Sequence, residues 1–301
     1  AMDGYAMTRH GRPHEALTEA AVASFWGGQA STIALLFFAP VMAKWAFNFG
    51  AQEKFLMAAF GLTIIASLST KDVLKGLMMG CVGLVVACIG MDPMQGQARF
   101  TFGNHFLMGG ITMIPAVIGL FSVSQIFTTI KDPIVPADKS MIAQFKAAKI
   151  HLKDLVRYPV VYLRSAIIGI VVGIIPGTGG DVASYVSHNT GRMFSKEEDF
   201  GHGAREGVAC CEAANNAVTG GALIPLLTLG IPGSSAAAVL LGGLMIHGLT
   251  PGSALFTTQG STTYAIIIGF IIANILMGVV GMLVSKYVVN VVKVPYNILA
   301  P

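Results

Sequence analysis

Apolar residues along the chain fall into runs of membrane length, and the polar residues that interrupt them gather at a few places. Residues 20–47 form one such run, longer than the roughly 20 residues that cross a bilayer as a helix. Residues 55–68 and 73–91 form a pair around a polar turn at 69–72, the first of them short for a full crossing. Gly76 and Gly80, one helical turn apart, would admit a neighbouring backbone. A polar loop, DPMQGQARFTFG, leads to a further run at 106–130, and residues 131–158 are the one long polar connection. Beyond it, 160–175 and 182–193 flank one break, residues from 208 and 236–247 flank another, and 264–284 is a last strong span. Two apolar runs, 165–175 and 217–231, end on one pattern: Ile175-Pro176-Gly177-Thr178 and Ile231-Pro232-Gly233-Ser234. Proline removes an N–H and clashes with the preceding turn, and the glycine after it accepts dihedrals that other residues resist. The pattern predicts an all-α polytopic membrane protein with discontinuous helices, opened at Pro176, Pro232 and Gly233, and re-entrant segments. It divides into a four-span region (1–130), a basic loop (131–158) and a broken-helix region (159–301).

Composition agrees with this pattern. Of 301 residues 54% are hydrophobic and only 11% charged, against about 25% charged in soluble domains. The placement of the positive charges sets an orientation. Taking 131–158 as cytoplasmic and counting back one crossing at a time puts ten Lys and Arg residues inside, Arg9, Arg12 and Lys71 among them, and Lys44, Lys54 and Arg99 outside. That satisfies the positive-inside rule. Residues 143–155 read as a solvated loop or a surface helix, and the mixed charges of 196–206 as a solvated turn. The side of Pro301 stays open. Cys81, Cys88, Cys210 and Cys211 lie in apolar or small-residue surroundings without metal-ligand spacing, as packing residues do. The opening AMDGYAMTRHGRPHEAL lacks the apolar core of a signal peptide. With the stop at Pro301 right after a membrane segment, it reads as a piece of something longer.

In hydrocarbon, opened backbone is tolerated only inside protein or around a wet cavity, and discontinuous helices build the ion and substrate sites of many transporters. Glu212, Asn215 and Asn216 lie between the two breaks, and a carboxylate at membrane depth is a functional hypothesis by default. On a helix Glu212 shares a face with both asparagines. Side-chain oxygens there suit a cation, while amide N–H groups suit a carboxylate. A helix end at the interface, with Glu212 reaching to water, accounts for the same residues. Gly177, Thr178, Gly179 and Gly180 expose N–H groups at the start of a helix, which suits an anion. No lysine follows as a nucleotide loop requires, and Asp181 reads as a helix cap. Thr228, Ser234 and Ser235 bring hydroxyls to the second break, to face an ion or bond back to a carbonyl. The dispersed histidines and the missing nucleophile elbow argue against an enzyme, a metal centre or nucleic-acid binding, and no cofactor is expected.

The stretches IPGTGGDVASYVSHNTGRMFS, FGHGAREGV and EAANNAVTGGALIPLLTLGIPGSSAAAVLLGGLMIHGLTPG resemble the large membrane subunit of the tripartite tricarboxylate transporter family. So do DGYAMTRHGR and DPMQGQARFTFG, so that the resemblance covers nearly the whole chain. It departs from the family at Ala6 and Cys211, where proline is usual, and members are longer, with a counterpart set of Pro-Gly breaks in an N-terminal half. The resemblance implies a permease of the bacterial inner membrane that takes up small di- or tricarboxylates on a Na+ or H+ gradient. It also implies two partners, a small membrane subunit and a periplasmic substrate-binding protein. Gly177 to Gly180, Asn216, Ser234 and Ser235 are then expected at the substrate, and Glu212, Asn215 and Thr228 at the coupling cation. A stand-alone channel or exporter and a non-transporting assembly subunit are the alternatives.

Overall fold

The computed structural model describes residues 2–46, 50, 52–53, 55–56, 59, 73–92, 95–111, 115–116, 119–120, 127, 152–175, 178–195 and 199–288. Pro176 and Gly177, most of the basic loop and the runs at 55–68 and 106–130 fall largely or wholly outside them. The described helices are α1 (Met2–Arg9), α2 (Pro13–Ala46), α3 (Val73–Ala87), α4 (Pro159–Ile174), α5 (Gly179–Phe194), α6 (Arg205–Leu229), α7 (Ser235–Ile246), α8 (Ser253–Thr257) and α9 (Gly260–Val288). Short 3-10 turns cover His105–Gly109 and Leu152–Val156. Among the described residues the helical expectation meets one exception, an antiparallel pair of two-residue strands, β1 (Gly90–Met91) and β2 (Ala98–Arg99). The run at 73–91 leaves the helix at Ala87 to form it. Among the described residues α2 and α9 are long and apolar enough to cross a membrane. No residue of α3 is fully buried.

The fold is organised around α6, which packs against α2, α4 and α5. Its sequence supplies mostly Gly, Ala and other small residues, which let backbones approach closely and maximise van der Waals contact. A Cβ added at Gly27 would run into the Ala213 carbonyl, one at Gly169 into the Ala214 carbonyl, and one at Gly220 would lie 2.5 Å from Ser31 O. These contacts rise together along all three chains, so α2 and α4 run parallel to α6. Contacts to α5 run the other way: Gly180 meets Asn215, Ser184 bonds Cys211 O at 3.1 Å and Ser187 bonds Cys210 O at 2.9 Å. Residues 182–193 therefore do not carry α4 onward. The chain reverses after Ile175, and α4 and α5 form an antiparallel hairpin against α6. α9 also runs antiparallel against α2, where Gly28 meets Asn274, Phe25 meets Gly278 and Ala21 meets Gly281, and Asn274 Nδ2 donates to Thr32 Oγ1 at 2.8 Å. Around the far end of α6, Leu35, Ile224, Leu227, Leu241, Leu255 and Ile267 form the largest apolar cluster.

The end at which α2, α4 and α6 all begin is held by two fully buried carboxylates. Asp3 Oδ1 accepts from the backbone N–H groups of Gly201 (2.7 Å), Gly203 (2.9 Å) and Ala204 (3.0 Å), and Oδ2 lies 2.7 Å from His188 Nε2. Ala204 has no side chain with which to cap α6, and Asp3 supplies the negative charge that a helix N-terminus favours. Positive φ at Gly201 and Gly203 lets the loop wrap around it. Glu19 accepts from Tyr162 Oη (2.6 Å) and Arg205 Nε (2.7 Å), and Arg205 Nη2 donates to Asp154 at 3.0 Å. One ion network thus ties α2, α4, α6 and the 152–156 turn. This corrects the reading of 196–206 as a solvated turn: Gly203, Ala204 and Arg205 are buried. A charge taken out of water needs partners, and here they come from distant helices.

Candidate functional site

α6 is buried nearly all round, but one stripe is not. From Gly207 to Thr228, the only residues that escape burial are Glu212, Asn215, Asn216 and Thr219, with Asn215 and Thr219 exposed. Their spacing of three, four and seven places them on one face. An apolar residue in these positions would extend the packing of α6, so the stripe marks where the bundle opens onto polar chemistry.

The start of α5 lies against this stripe. Gly179 takes a left-handed φ of 70°, and Gly180 sits so close to Asn215 Oδ1 that a Cβ there would overlap it. The first turn of α5 has N–H groups without helical partners. Thr178 stands at the cap and makes no side-chain cap bond, and neither does the exposed Asp181 expected there. Instead the Thr178 hydroxyl turns back to α4, 2.6 Å from Val172 O and 2.9 Å from Ile175 O. It satisfies carbonyls freed where that helix ends and leaves the amides of α5 uncapped by a side chain.

The second break packs against the last turn of α4. α6 ends at Gly230, left-handed at φ 75°, whose N–H donates to Leu226 O at 3.0 Å. Pro232 and Gly233 then double back, and a Cβ at Gly233 would lie 2.5 Å from Gly173 O and 2.9 Å from Ala222 Cβ. Gly173, near the end of α4, thus touches the 230–234 turn. Ser234 caps α7, its Oγ accepting from Ala237 N–H at 3.2 Å, and Ser235 is the first residue of that helix. Thr228 is buried, and its hydroxyl donates to Ile224 O at 2.7 Å one turn back. The structure therefore brings Glu212, Asn215 and Asn216 together with Gly179 and Gly180, sets Ser234 at a helix start, and turns Thr228 into its own helix.

A family model described as the tripartite tricarboxylate transporter TctA family matches residues 1–301, the whole chain. The chain belongs to the TctA family. Among curated relatives of this family member is an uncharacterized 52.8 kDa protein in the TAR-I ttuC' 3' region of Agrobacterium vitis, 37% identical over 303 residues. That match takes in all of this chain and 60% of the relative. An uncharacterized protein in the TAR-II ttuC' 3' region of the same organism is 38% identical over 134 residues, covering 44% of this chain and 55% of the relative. The TctA-family chain thus spans about 60% of the first relative's length. No solved structure matches it.

Sequence reasoning passed over two residues of this opening. Thr219 continues the α6 stripe one turn beyond Asn215, and a seven-residue spacing from Glu212 was the signal available. Ser24, on α2, accepts from Asn216 Nδ2 at 2.7 Å. In a run of Ala, Gly and Phe it reads as a packing residue, and only the pairing of α2 with α6 brings it here.

Proposed function

We propose that this chain forms part of the permease of a binding-protein-dependent secondary transporter. It takes small di- or tricarboxylates across the bacterial inner membrane on a Na+ or H+ gradient, together with a small membrane subunit and a periplasmic binding protein. The observation that carries the reading is the polar stripe of Glu212, Asn215, Asn216 and Thr219 on an otherwise buried helix, facing the first turn of α5. Membership of the TctA family supports the transport class and the partners.

Substrate carboxylates meet the amides and positive dipole end of α5 from Thr178 to Gly180, with the Ser234-Ser235 turn on the other side. Glu212 holds the coupling cation. A carboxylate about 6 Å from a substrate anion repels it by about 3 kcal/mol at an effective dielectric near 20. That is roughly a hundredfold in affinity, so a cation at Glu212 makes the anion welcome, which couples the two. The common end of α2, α4 and α6 lies on the cytoplasmic side, where Arg9, Arg12, Lys153 and Arg157 satisfy the positive-inside rule. The α4–α5 hairpin then enters the membrane from that side and returns to it.

Labelled citrate uptake by cells expressing the complete three-part system tests this, comparing the unaltered protein, Asn215→Ala and the loop control Lys146→Ala at matched membrane abundance. Asn215→Ala is expected to lower uptake at least tenfold with the control unchanged. Equal uptake in all three overturns the site.

A further inference from the structure

Asn216 has a fixed orientation that its exposure does not suggest. Its Nδ2 donates to Ser24 Oγ at 2.7 Å and to the Glu212 carbonyl at 3.2 Å. A backbone carbonyl only accepts, so the amide cannot be flipped without losing that bond. Both Nδ2 protons are committed, and among the described residues Oδ1 takes no hydrogen bond. Ser24 completes the arrangement. Its oxygen is the acceptor for Asn216, whose amide also donates to the Glu212 carbonyl, so a serine on α2 fixes that amide beside Glu212.

We propose that Ser24 is a positioning residue for the cation half of the site, orienting Asn216 Oδ1 as an oxygen ligand that joins the Glu212 carboxylate on a monovalent cation. The inference rests on the transport reading of this stripe and refines it. Asn216, whose N–H groups are spent on Ser24 and Glu212, serves the cation, and Asn215, whose Oδ1 lies on Gly180, belongs to the substrate half beside the α5 amides. Ser24 touches neither substrate nor cation and acts through Asn216, which it holds. α2 is thereby joined to the site by something more specific than the close packing of Gly27 on Ala213.

The test measures citrate uptake by the full-length protein with its partner subunits, against Na+ at fixed pH and against pH at fixed Na+. Ser24→Ala is expected to raise the half-saturating concentration of the driving cation about tenfold, with the maximal rate within about twofold. Ser24→Thr, which restores a hydroxyl, is expected to return it to within about threefold. Glu212→Gln is expected to abolish coupled uptake. A Ser24→Ala protein with unchanged cation dependence, beside an inactive Glu212→Gln, overturns the role of Ser24 and leaves the transport reading standing. Full coupled uptake in Glu212→Gln overturns the transport reading itself. If Ser24→Ala does not accumulate in the membrane, Ser24→Cys, nearly isosteric but a weak donor and acceptor, reads the same shift, and an unshifted Ser24→Cys likewise overturns the proposal.

Discussion

Gly180 illustrates how one residue sets the site. Its missing Cβ is what allows the first turn of α5 to rest on Asn215 Oδ1. Gly180→Ala preserves helix propensity or improves it, yet its methyl group must displace either the asparagine or the helix start. Uptake is expected to fall at least tenfold at unchanged membrane abundance, and wild-type uptake would show that the contact has no part in transport. Glycine at this position was legible from the sequence, as was the oddity of Glu212 and two asparagines in an apolar stretch. The hydroxyls were not. Thr178, Thr228 and Ser24 are alike in a sequence, and which of them turns to its own helix and which bridges to another is decided by the neighbouring backbone. Thr178 and Thr228 bond to helix carbonyls, whereas Ser24 crosses to α6.

At the scale of elements, the helices hold together by two different means. Along their length α2, α4 and α6 meet through glycine and alanine. At their common end they are tied by the Glu19, Arg205 and Asp154 network, in which Glu19 and Arg205 stand 186 positions apart. Removing one partner of such a pair leaves a buried charge alone, which costs about 3–5 kcal/mol, whereas replacing both by apolar residues of similar size is often nearly neutral. Arg205→Met is therefore expected to lower the thermal unfolding midpoint in detergent sharply, and the Glu19→Leu/Arg205→Met double substitution to recover most of the loss. Additive losses would show that the two residues do not act as a pair. Sequence alone takes charges such as Arg205 and Glu206 for solvated ones, because nothing local records that their partners lie on other helices. It marks the two Pro-Gly pairs but not the course of the chain after the first, since a kinked helix and a hairpin share the same residues until α5 lies back along α6.

For the whole molecule, the parallel course of α2, α4 and α6 makes a prediction about sidedness. Tyr5 and His202 are exposed near the Asp3 cluster, at the one end where these three helices begin. Cysteines placed at each, in a protein whose exposed Cys81 and Cys88 are replaced by serine, are expected to react with a membrane-impermeant maleimide in inverted vesicles and not in intact cells. Labelling of the two from opposite sides would overturn the shared orientation. α2 comes from the first region and packs chiefly on α6 and α9 of the last, so the site joins segments at opposite ends of the chain.

The sequence by itself determined the membrane class, the limits of most described helices to within a few residues and the polar triplet of Glu212, Asn215 and Asn216. These come from local rules: run length against bilayer thickness, the backbone limits of proline and glycine, and the expense of a carboxylate among apolar neighbours. Only the tertiary structure decided that α5 turns back along α4, that Asp3 and Glu19 are buried anchors, and that Ser24 reaches Asn216. Each depends on contacts between residues far apart in sequence, and the direction of a chain after a break and the partner of a buried charge are set by which helices come to lie side by side.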